Sequence, residues 1–258
     1  MKMQIQVRLD YRLNQPGAAI VVVQAADCDG QIVQDAQIHL GDGDHFARIA
    51  ADDGIGERLV LHARDRLTCD YNAIVTVTRP RPDWDQLAAV DVEHLPGEAL
   101  RYLLSSRYCY AERLAHFVAS RFGHLAGGAK VAAMRDWVEH SLDYVPGASN
   151  ADTTAIDTFV DRRGVCRDYA HLLITMCRAA QIPARFAAVY SPHVKPQDFH
   201  AVAQIYLDGA WHLADPTGMA QADDMAIIAV GRDATDVAFL TTMTDAEFCE
   251  LRVEVTPA

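Results

Sequence analysis

Residues Asp198 to Gly218 read DFHAVAQIYLDGAWHLADPTG, two runs of alternating residues on either side of Asp208-Gly209. An Asp-Gly between β-prone runs predicts a tight hairpin, because both central positions of the favoured turn need φ above zero. Closing the loop on those two residues pairs Leu207 with Ala210. His200 then faces Thr217 and Val202 faces Asp215. Opposed side chains share a face of the sheet, so His200, Val202, Gln204, Tyr206, Trp211, Leu213 and Asp215 project together, and Asp215 is the diagonal neighbour of His200. A carboxylate so placed accepts a ring N–H, fixes the imidazole tautomer and leaves the other nitrogen free to take a proton. The opposite face, Ala201, Ala203, Ile205, Leu207, Ala210, His212 and Ala214, is small and mostly apolar, as expected of a strand packed on helices. His212 falls on that face and reads as structural or solvent-exposed.

The imidazole needs a nucleophile, and Asp161 to His171, DRRGVCRDYAH, offers Cys166. After it, Tyr169, Leu172, Leu173, Met176, Cys177 and Ala180 recur at helical spacing, predicting a helix that Gln181-Ile182-Pro183 ends. Cys166 lies in its first turn, where unpaired N–H groups and the positive end of the dipole favour a thiolate. Arg162, Arg163 and Arg167 add to that field and Asp168 opposes it. Cys177 sits on the apolar stripe and reads as core.

Outward from these stretches the chain divides by periodicity. From Met3 to Leu13 apolar and polar residues alternate, a half-buried strand, and AAIVVVQAA, FARIA, ERLVLHA and the run Asp70 to Thr78 follow between Gly/Asp turns. Many short strands predict a small β-sandwich. Beyond Arg79-Pro-Arg-Pro82 helical spacing takes over at about 97–105, 111–122 and 129–142, and Thr153 to Arg162 is a candidate short helix. Tyr144 to Asn150 reads as a loop. The expected division is a β-sandwich over 1–82 and an α+β catalytic unit over 83–258, with helices packed on an antiparallel sheet.

Composition narrows the function. Of 258 residues half are apolar and 22% charged, with a formal charge of −12 and no Lys/Arg cluster, which argues against nucleic acid as a partner. No stretch approaches the ~20 apolar residues of a membrane span, and the amino end lacks a signal-peptide core, so the expectation is a cytoplasmic protein with no membrane partner. Six scattered cysteines include no C-x-x-C pair for a metal or redox site. Gly41 to His45 and Asp52 to Gly54 are too short for a twelve-residue calcium loop. No metal or cofactor is expected.

Together these residues resemble the transglutaminase-like superfamily of papain-like thiol enzymes. The matching segments are Gly164-Val-Cys-Arg-Asp-Tyr-Ala-His-Leu172, Gln181-Ile-Pro-Ala-Arg185, His200-Ala201, Trp211 and Asp215-Pro-Thr217. Bacterial members with an amino-terminal β domain are the nearest likeness, and Ser105 to Cys109 looks like their junction. The resemblance implies Cys166 as nucleophile, His200 as general base and Asp215 as orienting acid. It implies hydrolysis or transfer at an amide carbonyl of a peptide or protein substrate through an S-acyl enzyme. The chain departs from the family at Val202 and Gln204, where an aromatic residue and an acid are common. That departure questions the neighbouring substrate wall and keeps open a catalytically silent peptide-binding or scaffolding protein as the alternative.

Overall fold

The computed structural model describes residues 1–258. Strands β1 (Lys2–Leu13), β2 (Gly17–Val21), β3 (Gln31–Leu40), β4 (Gly43–Ala50), β5 (Glu57–Ala63) and β6 (Arg66–Val77) come first. The alternation of β1 buries Met3, Ile5, Val7, Leu9 and Leu13, while Gln4, Gln6 and Arg12 face solvent. Leu67, Cys69, Tyr71, Ala73 and Val75 of β6 do the same beside it, so the two strands present one apolar face. Ala19, Val21, Leu59, Leu61 and Ala63 of β2 and β5 are the buried residues of the other sheet.

The second part of the chain runs α1 (Gly97–Leu100), α2 (Ala115–Phe122), α3 (Gly127–Ser141), β7 (Asp143–Tyr144), α4 (Ala155–Asp161), β8 (Arg163–Gly164) and α5 (Cys166–Ala179). It continues through β9 (Ala184–Tyr190), β10 (His200–Leu207), β11 (Ala210–Ala214), β12 (Ala226–Gly231), α6 (Ala234–Val237), β13 (Leu240–Thr242) and β14 (Ala246–Pro257). The helical spacing at 97–105 yields only one α turn followed by a 3-10 turn, whereas 129–142 gives the 15-residue α3. A capping box between Thr154 and Asp157 starts α4, satisfying two backbone N–H groups of its first turn.

Two four-stranded antiparallel sheets, ordered β14-β1-β6-β3 and β13-β2-β5-β4, make the β unit, and a third, β11-β10-β9-β12, belongs to the α+β unit. The last strands cross the expected division. Residues 240–257 fall within the span assigned to the catalytic unit, yet β14 pairs with β1 from Met3↔Pro257 to Leu13↔Ala246 and β13 pairs with β2. Without β14, β1 would be a long open edge, and its partner supplies Val253 and Val255 to the core. One continuous apolar cluster runs from β1 through α5 to β14.

Helix α5 also differs from its expected single apolar face. Every residue from Asp168 to Arg178 is buried, because the helix is enclosed between β9–β10 and the surrounding helical segments. Most of its polar atoms are bonded: Thr175 Oγ1 donates to His171 O (2.7 Å), Arg178 donates to Ala184 O and Arg232 O, and His171 Nε2 accepts from Ala234 N (3.1 Å), while His171 Nδ1 has no partner. No helix is long and apolar enough to cross a membrane.

Candidate active site

Gly164 fixes how α5 begins. A Cβ there would lie 2.7 Å from the Cβ of Asp168, so only glycine lets the Asp168 side chain fold back under the preceding turn. Asp168 accepts from Val165 N at 2.8 Å and is paired with Arg167 Nη2 at 3.1 Å. Its carboxylate is thus used as a cap for the helix rather than left free beside Cys166. Cys166 is the first residue of α5 and is half-buried. Arg162 does not join the field expected around it. Arg162 takes a left-handed conformation that ends α4, and its guanidinium stacks on Phe159 (4.3 Å) and Trp137 (4.7 Å).

The hairpin forms in the expected register: Leu207↔Ala210, Tyr206↔Trp211, Gln204↔Leu213 and Ala203↔Ala214. Asp208 and Gly209 both have positive φ, +50° and +77°. The ladder stops at Ala203↔Ala214, so the expected pairs Val202 with Asp215 and His200 with Thr217 are not formed. Asp215 is instead the first residue beyond β11 and starts a turn. Its Oδ1 accepts from Thr217 N (2.9 Å) and Thr217 Oγ1 (2.8 Å), and its Oδ2 from Ala220 N (2.9 Å) and His200 Nε2 (2.9 Å). Burial pushes the Asp215 carboxyl up, but these donors outweigh it and hold the group below the usual carboxylate range.

His200 opens β10 and is fully enclosed. Burial lowers its pKa, yet the hydrogen bond to Asp215 and the proximity of Cys166 overcome this and raise it to about 10. The remaining ring nitrogen, Nδ1, is buried with no hydrogen-bond partner. Cys166 and His200 line one cavity of about 460 Å³. No hydrogen bond joins the two groups.

Tyr144 is the functional candidate that the sequence pattern does not reveal. Two-residue strands β7 and β8 pair in parallel, Tyr144 beside Gly164, and Val145 N donates to Gly164 O at 2.9 Å. This sets Tyr144 beside the turn that leads into Cys166. Partial desolvation of the phenol first, and the neighbouring Cys166 thiol second, push its pKa up, although the side chain still reaches the surface. A bridge of two residues has no periodicity to read, and Tyr144 therefore looked like the start of a loop.

The departure at Gln204 bears on a different place. Gln204 Oε1 accepts from Arg185 Nε at 2.8 Å, and Arg185 reaches Asp53 in the turn between β4 and β5 and stacks over Trp211 at 4.1 Å. Neither Gln204 nor Arg185 lines the cavity. His212, on the other face, contacts Leu207 O (3.2 Å) and the edge of Trp84. Asp91, Glu93 and His94 bring ligand atoms within 4.8 Å of one another, all on the exposed surface and outside the cavity.

A crystal structure of a provisionally assigned cysteine protease from Cytophaga hutchinsonii matches 99% of this chain and 90% of its own, at 32% identity and a TM-score of 0.93. The chain belongs to the transglutaminase-like superfamily. The model of that superfamily matches residues 105–216, which hold Cys166, His200 and Asp215. An uncharacterized protein of Mycobacterium leprae is 37% identical over 120 residues, 43% of this chain and 42% of that protein, so the match spans less than half of the curated relative. The superfamily fold is α+β, and the two-sheet β unit lies within the extent shared with the Cytophaga protein.

Proposed function

We propose that the protein is a thiol-dependent amide hydrolase or acyl transferase, with Cys166 as nucleophile, His200 as general base and Asp215 as the group that orients His200. The observation that carries this reading is the enclosed His200, bonded through Nε2 to Asp215 and open through Nδ1, sharing a cavity with Cys166 at the start of α5. In the reaction the Cys166 Sγ–carbon bond forms at an amide carbonyl, and the thiol proton resides on His200. As the C–N bond breaks, His200 passes that proton to the leaving amine. Water, deprotonated by His200, then attacks the thioester and releases the acid and the thiol; an amine in place of water gives transfer. The Cys166 backbone N–H, at the start of α5, is the donor assigned to the oxygen that bears charge between these steps, and Tyr144, whose strand pairs beside Gly164, is the second donor to be tested.

The silent-binder alternative rested on Val202 and Gln204; neither lines the cavity and Gln204 serves Arg185, which favours the enzymatic reading. The test is a stopped-flow burst with p-nitrophenyl acetate. Wild type should release one p-nitrophenolate per chain in the burst and carry an acetyl thioester on Cys166; Cys166→Ala should give no burst. Tyr144→Phe should slow the burst about 100-fold, while alkylation by iodoacetamide, which passes through no oxyanion, keeps its rate. Equal loss in both reactions would reduce Tyr144 to a positioning residue, and a burst that survives in Cys166→Ala would sink the thiol mechanism.

A further inference from the structure

The cavity beside Cys166 and His200 is built mostly from hydrocarbon. Phe186 and Ala188 of β9, Val237 of α6, Phe239 after it, Phe199 before β10 and Val22 after β2 form its walls. Phe199 and Phe239 stack with centroids 4.7 Å apart and planes 8° from parallel. The polar members of the lining other than the reacting pair are largely exposed at its mouth: Arg107, Asp198, Thr235 and Thr241. Arg167 and Tyr108 lie further in, but the Arg167 guanidinium is committed to Asn150 O (2.6 Å) and Asp168, and the Tyr108 hydroxyl donates to Ala151 O (2.7 Å). An amide side chain placed against these walls would lose its water and gain no partner. An aromatic or branched aliphatic one would lose only water.

The β unit supplies part of this wall. Val22 N donates to Phe239 O at 2.9 Å, so the segment leaving β2 is fastened to the segment entering β13, and Val22 and Thr241 both reach the lining. At about 460 Å³ the space is within the range of sites that enclose a small ligand and accommodates a side chain of phenylalanine size together with its flanking backbone.

We propose that this cavity is the acyl-side-chain subsite, and that the acyl group transferred to Cys166 comes from a residue with an apolar, aromatic or branched aliphatic side chain rather than from the carboxamide of glutamine. The inference rests on the thiol mechanism proposed above and adds its substrate class. The bonds made and broken are those already written; the pocket decides which carbonyl is presented to Sγ.

The experiment compares acylation of the full chain by the p-nitrophenyl esters of N-acetyl-phenylalanine, N-acetyl-leucine, N-acetyl-glycine and N-acetyl-glutamine. The expected kcat/KM for the phenylalanine and leucine esters exceeds that for the glycine and glutamine esters by about 10- to 100-fold. Ala188→Trp, and separately Ala238→Trp at another point of the lining, should each shrink the phenylalanine-to-glycine ratio by roughly tenfold as the added ring occupies the space. Two variants guard against one that fails to fold, and a ratio is unaffected by the fraction of active protein. Acylation with no preference, a preference for the glutamine ester, or a ratio unmoved by both fillings overturns the subsite and leaves the thiol mechanism standing. Failure of all four esters to acylate the wild type overturns both.

Discussion

His200 decides how charge is held in the cavity. Its ordinary pKa of 6.5 is lowered by burial and then raised past that value, to about 10, by Asp215 and Cys166. The folded chain therefore binds this proton more tightly than the unfolded chain. The stability so supplied is complete below about pH 6.5 and is lost as pH rises through about 10. Asp215→Asn removes the carboxylate that holds the proton. Its stability deficit relative to wild type, read from urea midpoints, should be largest near pH 6.5 and shrink toward pH 10. A deficit that stays constant over that window would mean that Asp215 acts by packing alone. Acylation of the same variant should fall on the order of 10³–10⁴-fold, the loss expected when a base is left in the wrong tautomer. At this scale the sequence was informative for His200 and Asp215, because register follows from a turn with strict backbone demands. It was silent on Tyr144, whose partner strand is two residues long and lies 20 positions away in the chain.

At the scale of elements, three backbone features aim the site: the Gly164 start of α5, the Asp208-Gly209 turn, and the Thr217–Ala220 turn that locks Asp215. The Asp208-Gly209 turn is legible because both positions need positive φ, whereas Gly164 serves a close approach to Asp168 that local pattern does not announce. The third is only half-legible, since Asp215-Pro-Thr217 announces a turn without saying where the ladder ends. A fourth feature joins elements that the sequence keeps far apart. Asp53, at φ +57° in the turn between β4 and β5, accepts from Tyr102 O–H (2.6 Å) and pairs with Arg101 (2.9 Å) and Arg185. Arg185 is almost wholly enclosed, at 4% side-chain exposure. Removing its carboxylate leaves a buried cation with Gln204 as its side-chain acceptor. Asp53→Ala should therefore cost about 3 kcal/mol of unfolding free energy, checked by urea titration. A change below roughly 0.5 kcal/mol, the size typical of a surface substitution, would show that the clamp is not under load.

At the scale of the whole molecule, the chain leaves the β unit after β6, builds the α+β unit, and returns to complete both sheets with β13 and β14. The alternation in Leu251 to Val255 is visible in the sequence, but nothing local says that its partner is β1, some 240 residues earlier. The same topology disposes the six cysteines unequally. Burial raises the pKa of Cys28, Cys69, Cys109 and Cys177, taking Cys69 to about 12 and Cys109 to about 11; Cys69, Cys109 and Cys177 are enclosed, and Cys28 is half-buried. Cys249 is exposed on β14, outside the cavity, and Cys166 lies within it. One chain therefore contains both the proposed nucleophile and a plain surface thiol to compare it with. The decisive measurement is sub-stoichiometric iodoacetamide at pH 7 followed by peptide mapping of wild type and His200→Ala. Cys166 should be alkylated at least about tenfold faster than Cys249, and His200→Ala should abolish the advantage while leaving Cys249 unchanged. Labelling of Cys249 at a rate equal to or above that of Cys166, or a Cys166 rate indifferent to His200→Ala, would contradict the thiol mechanism.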